Sequence, residues 1–491
     1  MKVTLAGYNI DTELIKILKN NKRSFVFTPE TISAAYARIS RSPKSVSVLR
    51  KEALREIEKA RSSNRRIIFE MSHHSIAEHA VFNFDIVGIS RRAVEEFEKF
   101  RLCSYTEKSQ RYVTLKGDFV IPEEIKKTNL LNEYCEIIEL QNNLYKKLFE
   151  KLKSFKLKNC PIANDPKSLR LIENSAKEDA RYILSLATQT QIGATINARN
   201  LELMIRRFAS HQLKEIQELG GRLFKEVKHI APSIILFYKA NDYDQKTYPE
   251  LEKYCRRIKV KSNNTSEVIL EDYTKNGDDK ILSALLFRVK KNAFAECLNA
   301  VKKLSRNEKI ELFKTACQYL ELYDTVLREF EFVNYTFSAV VSGGCFGQLK
   351  RHRIMTLINQ DYDPELGITI PPSITEIKMV DEFKKVINKT EKVYRKIIKI
   401  SPIASSYILT NAHRKRVLLN LNLRELYHFS RLREDPTAQW DIRNLARAMS
   451  REAKRVSPIT TLLLCSKIEY PAFYHILYKK YPKVTEVPPP G

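Results

Sequence analysis

Four groups of side chains in this 491-residue chain have types and spacings suited to holding anions or aromatic rings. The first is Arg101-x-x-Ser104-x-x-Glu107-x-Ser109-x-Arg111-Tyr112. Guanidinium forks backed by serine hydroxyls suit a phosphate. The plainer reading is a polar surface loop with one ion pair. The second is Gln348-x-x-Arg351-His352-Arg353. Its adjacent cationic and imidazole groups repel one another unless an anion sits among them, and His352 between two arginines is expected to stay neutral. A basic helix start in water is the plainer reading. The third is Asn422-x-Arg424-x-x-x-His428-x-x-x-x-Arg433. A helix puts 424 and 428 on one face and leaves Arg433 near its end, before Asp435-Pro436, placed to reach a ligand; the alternative is surface pairing with Glu434 or Asp435. The fourth is His73-His74-Ser75-Ile76-Ala77-Glu78-His79. It lacks the H-E-x-x-H spacing of a zinc helix and has no further ligands nearby, so ligand contact or a helix start is expected and no metal.

The elements that must carry these groups repeat. Alternating, strand-like runs at Phe82–Ile86 and Phe332–Phe337 precede Lys99-Phe100-Arg101 and Arg351-His352-Arg353. Further on, Asn197-Ala198-Arg199 matches Asn422-Leu423-Arg424, and Glu226…Pro232 matches Lys454…Pro458. The offsets are 252, then 225 and 226. Three anchors in one order indicate a tandem duplication with some 27 extra residues in the first copy. The expected domains are 1–245 and 246–491, joined by loop at 241–245 and 262–265. Long amphipathic helices at 129–155 and 438–456, without regular strand–helix alternation, predict an α+β fold in which each half has a mixed or antiparallel sheet with long helices. The Pro488-Pro489-Pro490 tail is expected to be disordered.

Composition narrows the function. Lys+Arg number 85 against 58 Asp+Glu, a net charge of +27. Such a surface attracts nucleic acid, nucleotides, polyanionic cofactors or acidic lipid, although charge of this kind can also sit on solvated faces. Only 12 residues are glycine, and neither common phosphate-cradling loop is present, so a nucleotide must be held by side chains. Eight cysteines occur singly, which argues against a disulfide frame or a cysteine zinc site and suits a reducing cytoplasm. No apolar run approaches ~20 residues, and no signal peptide is visible.

Together the clusters resemble the flavin-dependent thymidylate synthases, the ThyX family. Their string runs R-H-R-x-x-S-x-x-x-x-S-x-R-Y, with an upstream Gln and a later N-x-R helix. Ala37-Arg38-Ile39-Ser40 and the stretch 73–79 also look like family landmarks. The resemblance covers both halves, and the departures sort by face. Half one has Arg101, Ser104, Glu107, Ser109, Arg111 and Tyr112, but Glu96-x-x-Lys99-Phe100 replaces Gln-x-x-Arg-His, while Leu203 and Phe208 replace a polar group and an arginine. Half two has Gln348, Arg351, His352, Arg353, Asn422, Arg424, His428 and Arg433, but Thr356, Asn359, Asp361 and Asp363 break the rest of its string. A further family arginine matches Arg181, with Ser406 as its half-two counterpart.

The resemblance implies FAD as cofactor, NADPH as reductant and 5,10-methylenetetrahydrofolate as carbon donor for converting dUMP to dTMP. By the same resemblance Glu107, Ser109, Arg111 and Arg181 hold dUMP together with Gln348, Arg351 and Arg433, the last three being catalytic. His352, Arg353, Asn422, Arg424 and His428, with His73, Ser75 and Glu78, hold FAD. Each half thus keeps the face the other has lost, which implies a composite site; the reciprocal combination puts Asp361 and Asp363 where a phosphate belongs, at a cost of roughly 1 kcal/mol or more. In the family, sites lie between subunits of a homotetramer, so a homodimer of this double chain is expected. Two alternatives remain open: a non-catalytic flavin- or nucleotide-binding paralogue, motivated by Lys99-Phe100 and Phe208, and a nucleic-acid-binding protein, for which no named motif is present.

Overall fold

The computed structural model describes residues 1–15, 26–113, 115, 117–159, 165–260 and 268–484. The tail at 488–490 and the joint at 262–265 lie outside the described residues. Two compact units form: Met1–Ser262 with Pro372–Thr410, and Asn263–Pro371 with Asn411–Gly491.

The first unit is built on an antiparallel sheet of β1 (Lys2–Tyr8), β2 (Val81–Ser90), β3 (Ser104–Glu107) and β4 (Gln189–Asn197), in the order β1-β2-β4-β3. Alternation decides which face is buried: Phe82, Phe84 and Ile86 of β2 and Ile192, Ala194 and Ile196 of β4 point into the core, and Asn83 and Asp85 point out. The helices that matter for the site are α1 (Arg91–Phe97), α2 (Leu131–Lys158), α3 (Pro166–Ala180), α4 (Ala198–Ala209), α5 (Lys214–Val227) and α6 (Asp242–Cys255). Leu201, Met204 and Ile205 of α4 and Ile216, Leu219 and Leu223 of α5 complete the core over the sheet.

The second unit repeats the sheet with β5 (Val268–Tyr273), β6 (Asn334–Ser342), β7 (Thr356–Asn359) and β8 (Arg414–Asn422), in the order β5-β6-β8-β7. Helix α7 (Gly343–Leu349) follows β6, α9 (Leu423–Arg433) follows β8, and α10 (Trp440–Val456) comes next. The same caps start equivalent helices. Ser90 Oγ accepts from Ala93 N at 2.9 Å and Ser342 Oγ from Cys345 N at 2.9 Å, and each hydroxyl donates to a carboxylate, Glu215 or Asp441. Asn197 and Asn422 cap α4 and α9 through Oδ1, accepting from Asn200 N at 3.0 Å and Glu425 N at 2.8 Å.

Residues 372–410, which the 245/246 division assigns to the second half, pack with the first unit. Their helix α8 (Val380–Ile400) carries a stripe of Phe383, Val386, Ile387 and Ile397 and lies on α2. Gln141 donates to Thr390 Oγ1 and to the Ile408 carbonyl, both at 2.9 Å, and the Tyr407 hydroxyl donates to Glu215 at 2.7 Å. The main chain continues the join, with Ala187 N to Tyr407 O and Leu186 N to Leu409 O at 2.8 Å. The stretch expected as loop at 241–245 is instead the start of α6. Asn241 Oδ1 accepts from Asp244 N at 2.8 Å, and Asp242 and Asp244 lie in the first turn. Residue types that favour turns are the same ones that cap helices, which is why the stretch reads as loop. Among the described residues no helix is long and apolar enough to cross a membrane.

Candidate functional site

In the second unit, α7 and the turn after it present Gln348 to Arg353, and α9 presents the rest. His352 is buried, and Arg433 Nε donates to its Nε2 at 2.8 Å. That bond makes Nε2 the acceptor, so the imidazole proton sits on Nδ1, which faces Glu425 Oε1 at 3.6 Å. Burial first, then the charge of Arg433, pushes the His352 pKa well down, so the ring is neutral, as the sequence leads one to expect. Phe429 meets the ring edge-on at 4.7 Å, and His428, itself exposed, lies 6.0 Å away. Burial also raises the pKa of Glu425.

Gln348 is oriented by its neighbour. Gln439 Oε1 caps α10 by accepting from Asp441 N at 3.2 Å and Ile442 N at 3.4 Å. That oxygen can therefore only accept, and Gln348 Nε2 donates to it at 3.3 Å. The other end of the Gln348 amide, Oε1, is buried without a partner among the described residues. A buried acceptor in that state is suited to a ligand N–H. Arg351 is half-buried and Arg353 exposed. Arg424 is spent on structure: Nε reaches the Val326 carbonyl at 2.9 Å, Nη1 reaches Glu331 at 2.8 Å and Nη2 reaches Thr325 at 3.1 Å. Its twin Arg199 is likewise ion-paired to Glu78, at 2.6 Å.

In the first unit the end of β3 carries Glu107, paired with the buried Arg91. Ser109 Oγ accepts from Arg111 N at 3.1 Å. Arg111 is ion-paired to Glu178 through Nε and lies over Tyr112 at 5.3 Å, and Arg181 Nε donates to the Glu178 carbonyl at 3.3 Å. Glu178 thereby gathers the two arginines assigned to phosphate. Burial lowers the Arg181 pKa from its ordinary value. Ser406, the counterpart of Arg181, accepts from Arg92 Nε at 3.1 Å.

The flavin-face positions of half one hold other chemistry. Phe100 and Phe208 are buried and meet edge-on at 5.6 Å. Glu96, where the twin has Gln348, is ringed by Arg92 at 2.7 Å, Lys99 at 2.6 Å and His211 at 3.7 Å. Burial raises its pKa, but Arg92 and its other partners outweigh that and hold it well below the usual carboxylate range. Arg207 lies 6.0 Å over Phe100 and is half exposed. His73, His74 and Ser75 are exposed at the start of the short helix His74–His79, and His73 Nε2 lies 3.4 Å from Arg41. In half two, Asp363 Oδ1 accepts from Glu365 N at 2.9 Å and caps a single turn.

The structure thus brings Glu107, Ser109, Arg111 and Arg181 together in one unit, and Gln348, His352 and Arg433 in the other. Sequence reasoning missed Arg91, Glu178, Glu425 and Gln439. Of these only Glu178 had a signal, three residues before Arg181 on one helix face. A 260 Å³ cleft lined by Met1, Gly88, Phe119 and Gln189 and a 430 Å³ groove lined by Leu285, Val289, Leu312 and Leu327 contain none of the residues singled out in the sequence.

The family model described as thymidylate synthase complementing protein matches residues 25–233 and again 269–459. A flavin-dependent thymidylate synthase of Clostridium tetani is 33% identical over 214 residues, covering 43% of this chain and 82% of that protein. A UPF0159 protein of Thermoplasma acidophilum is 26% identical over 475 residues, covering 87% of this chain and 92% of its own length. Thymidylate synthase X of Helicobacter pylori, solved with FAD and dUMP, aligns at 18% identity and a TM-score of 0.28, covering 50% of this chain and 99% of that one.

Proposed function

The chain belongs to the family of thymidylate synthase complementing proteins, the flavin-dependent thymidylate synthases, and from that premise we propose that it methylates C5 of dUMP to give dTMP at one centre to which both halves contribute. The carrying observation is the division of labour: paired phosphate-type arginines on Glu178 in half one, and the His352–Arg433 pair beside the open Gln348 acceptor in half two. Arg111, Arg181 and Ser109 take the nucleotide phosphate and so fix the ring. Gln348 Oε1 accepts the uracil N3–H. Arg433, held by the neutral imidazole before substrate arrives, stabilises negative charge on the ring as C5 becomes nucleophilic, and Arg351 adds to that field. The methylene of 5,10-methylenetetrahydrofolate becomes the new methyl, and C5 loses its proton.

The side chains on the half-two face fit FAD: Arg353 and His428 are exposed cationic or hydrogen-bonding groups for a diphosphate or ring. Held by these residues, FAD would supply the hydride that completes the methyl group, with NADPH as its reductant. His352 sets Arg433, and Asn422 and Arg424 hold the helix and its neighbouring segment in place rather than donating to a ligand. His73, Ser75 and Glu78 are the remaining candidates for the flavin. A homodimer would carry two such centres.

Purified protein should be yellow and should oxidise NADPH with formation of dTMP only when dUMP and the folate are both present. Colourless protein that ignores dUMP would sink the reading. Yellow protein that binds dUMP without turnover would favour a non-catalytic paralogue, a possibility to which the buried Phe100–Phe208 pair lends support.

A further inference from the structure

Glu425 stands in the first turn of α9, where a glutamate ordinarily reaches back to the amide that opens its helix. Here it does not. Asn422 Oδ1 caps the turn by accepting from Glu425 N at 2.8 Å, and among the described residues the carboxylate closes no reciprocal bond to Asn422 N. The side chain turns to His352 instead. Its Oε1 lies 3.6 Å from Nδ1, with the His352 and Glu425 side chains 3% and 6% exposed. That oxygen is buried and accepts no hydrogen bond among the described residues. A buried acceptor left in that state costs free energy, and less than about 1 Å of movement would bring the Nδ1 proton within hydrogen-bond reach. Burial raises the carboxyl pKa, and His428, three residues further along α9, works against that.

The twin half lacks both members of this contact. Position 425 corresponds to Asn200 and position 352 to Phe100. Asn200 keeps the backbone bond to its cap, Asn197 Oδ1, at 3.0 Å, and its own Nδ2 donates to the same oxygen at 2.9 Å. The helix therefore starts without a carboxylate at this position. The glutamate occurs in the half that carries the imidazole.

We propose that Glu425 is a positioning residue for the methyl transfer: it holds the His352 proton on Nδ1, so that Nε2 stays an acceptor and grips Arg433. Which imidazole nitrogen carries the proton is set by the bond made at the other, and a carboxylate there also makes the free nitrogen more basic. Without an acceptor at Nδ1 the proton can move to Nε2, where it meets the Arg433 Nε–H, donor against donor. The guanidinium then loses the 2.8 Å bond that fixes it. The inference rests on the thymidylate synthase reading and deepens its account of Arg433.

The test compares E425N, E425Q, H352F and H352F/E425N in the full-length chain. Nitrogen NMR of isotopically labelled histidines, with H352F identifying the His352 signals, reads the tautomer without cofactor or substrate; steady-state turnover reads its consequence. The wild type is expected to carry the proton on Nδ1. E425Q, which keeps an acceptor, should keep that tautomer and most of kcat/KM. E425N, the residue the twin helix carries, should shift the proton toward Nε2 and lower kcat/KM about tenfold. In the H352F background the same change should cost less than about twofold. Should E425N not fold, E425A and H352F/E425A replace the pair under the same expectations. A wild type with its proton on Nε2 would overturn the proposal whatever the variants do. So would E425N keeping the proton on Nδ1, or a tenfold loss that persists without the imidazole. A wild-type chain that makes no dTMP overturns the functional reading, and the NMR comparison then decides the link between Glu425 and His352 on its own.

Discussion

After the central strand of each sheet the chain turns through a short helix and reaches positions 100 and 352, which are twins, as are 208 and 433. In half one these are Phe100 and Phe208, edge-on at 5.6 Å. In half two they are His352 and Arg433, joined by a 2.8 Å hydrogen bond. One scaffold therefore holds either an apolar contact or a polar pair at the same place, and both members change together. A lone His352 facing a phenylalanine would leave a buried acceptor unpaired, at about 1–3 kcal/mol. The two phenylalanines of half one meet without leaving such an unpaired group, and in half two the bond to His352 fixes the Arg433 guanidinium.

The comparison can be broken most decisively at the arginine. R433M is expected to lower kcat by about 10²–10³-fold, whereas R207M, next to the twin position, should change it less than about twofold; equal losses would erase the distinction between the halves. The phosphate face gives the converse. R111M should raise the KM for dUMP about 10- to 100-fold, in keeping with loss of a charge-assisted contact, while D363N in half two leaves KM unchanged. Grafting the half-one pair, H352F/R433F, should abolish turnover yet keep the far-UV circular dichroism spectrum.

The same graft sharpens the comparison through pH. His352 has its pKa depressed in the folded chain, so the unfolded chain binds the extra proton first. Its contribution to stability is complete above about pH 6.5 and is lost as pH falls below that. Thermal melts of the wild type should show this loss, and the graft should lack that component. The smallest effects belong to the twin arginines with structural partners. R424M, which gives up an ion pair and two further hydrogen bonds, should cost about 1–2 kcal/mol. R199M, at a half-exposed ion pair, should cost less than about 1 kcal/mol in denaturant melts.

Parts of two strands, β2 and β6, together with the tandem repeat and the helix from 423 to 433, were legible because side-chain alternation and cap residues are local signals. The neutral state of His352 followed from its neighbours in sequence. The pairing of Arg91 with Glu107, of Arg111 with Glu178 and of Gln348 with Gln439 was not legible. Those partners are 16, 67 and 91 residues apart, and nothing in residue type says which carboxylate or amide a buried group will meet. Arg424 was misleading for a related reason: an arginine on a helix face looks available until its three acceptors, 93 to 99 residues upstream, are seen. The destination of α8 was equally hidden, since an amphipathic stripe announces that it needs covering but not by what.

That destination has a bearing on how the chain comes to be folded. The second sheet is made from residues on both sides of a segment that is committed elsewhere, and Gln141 and Glu215 wait for partners, Thr390 and Tyr407, about two hundred residues or more further along. During synthesis the amino-terminal unit cannot close until residue 410 has emerged, by which point three of the four strands of the other sheet have already been made. A cut at the repeat boundary would thus strip residues 372–410 from the first unit, while the second fragment would keep every residue of its own unit and carry that segment unpaired.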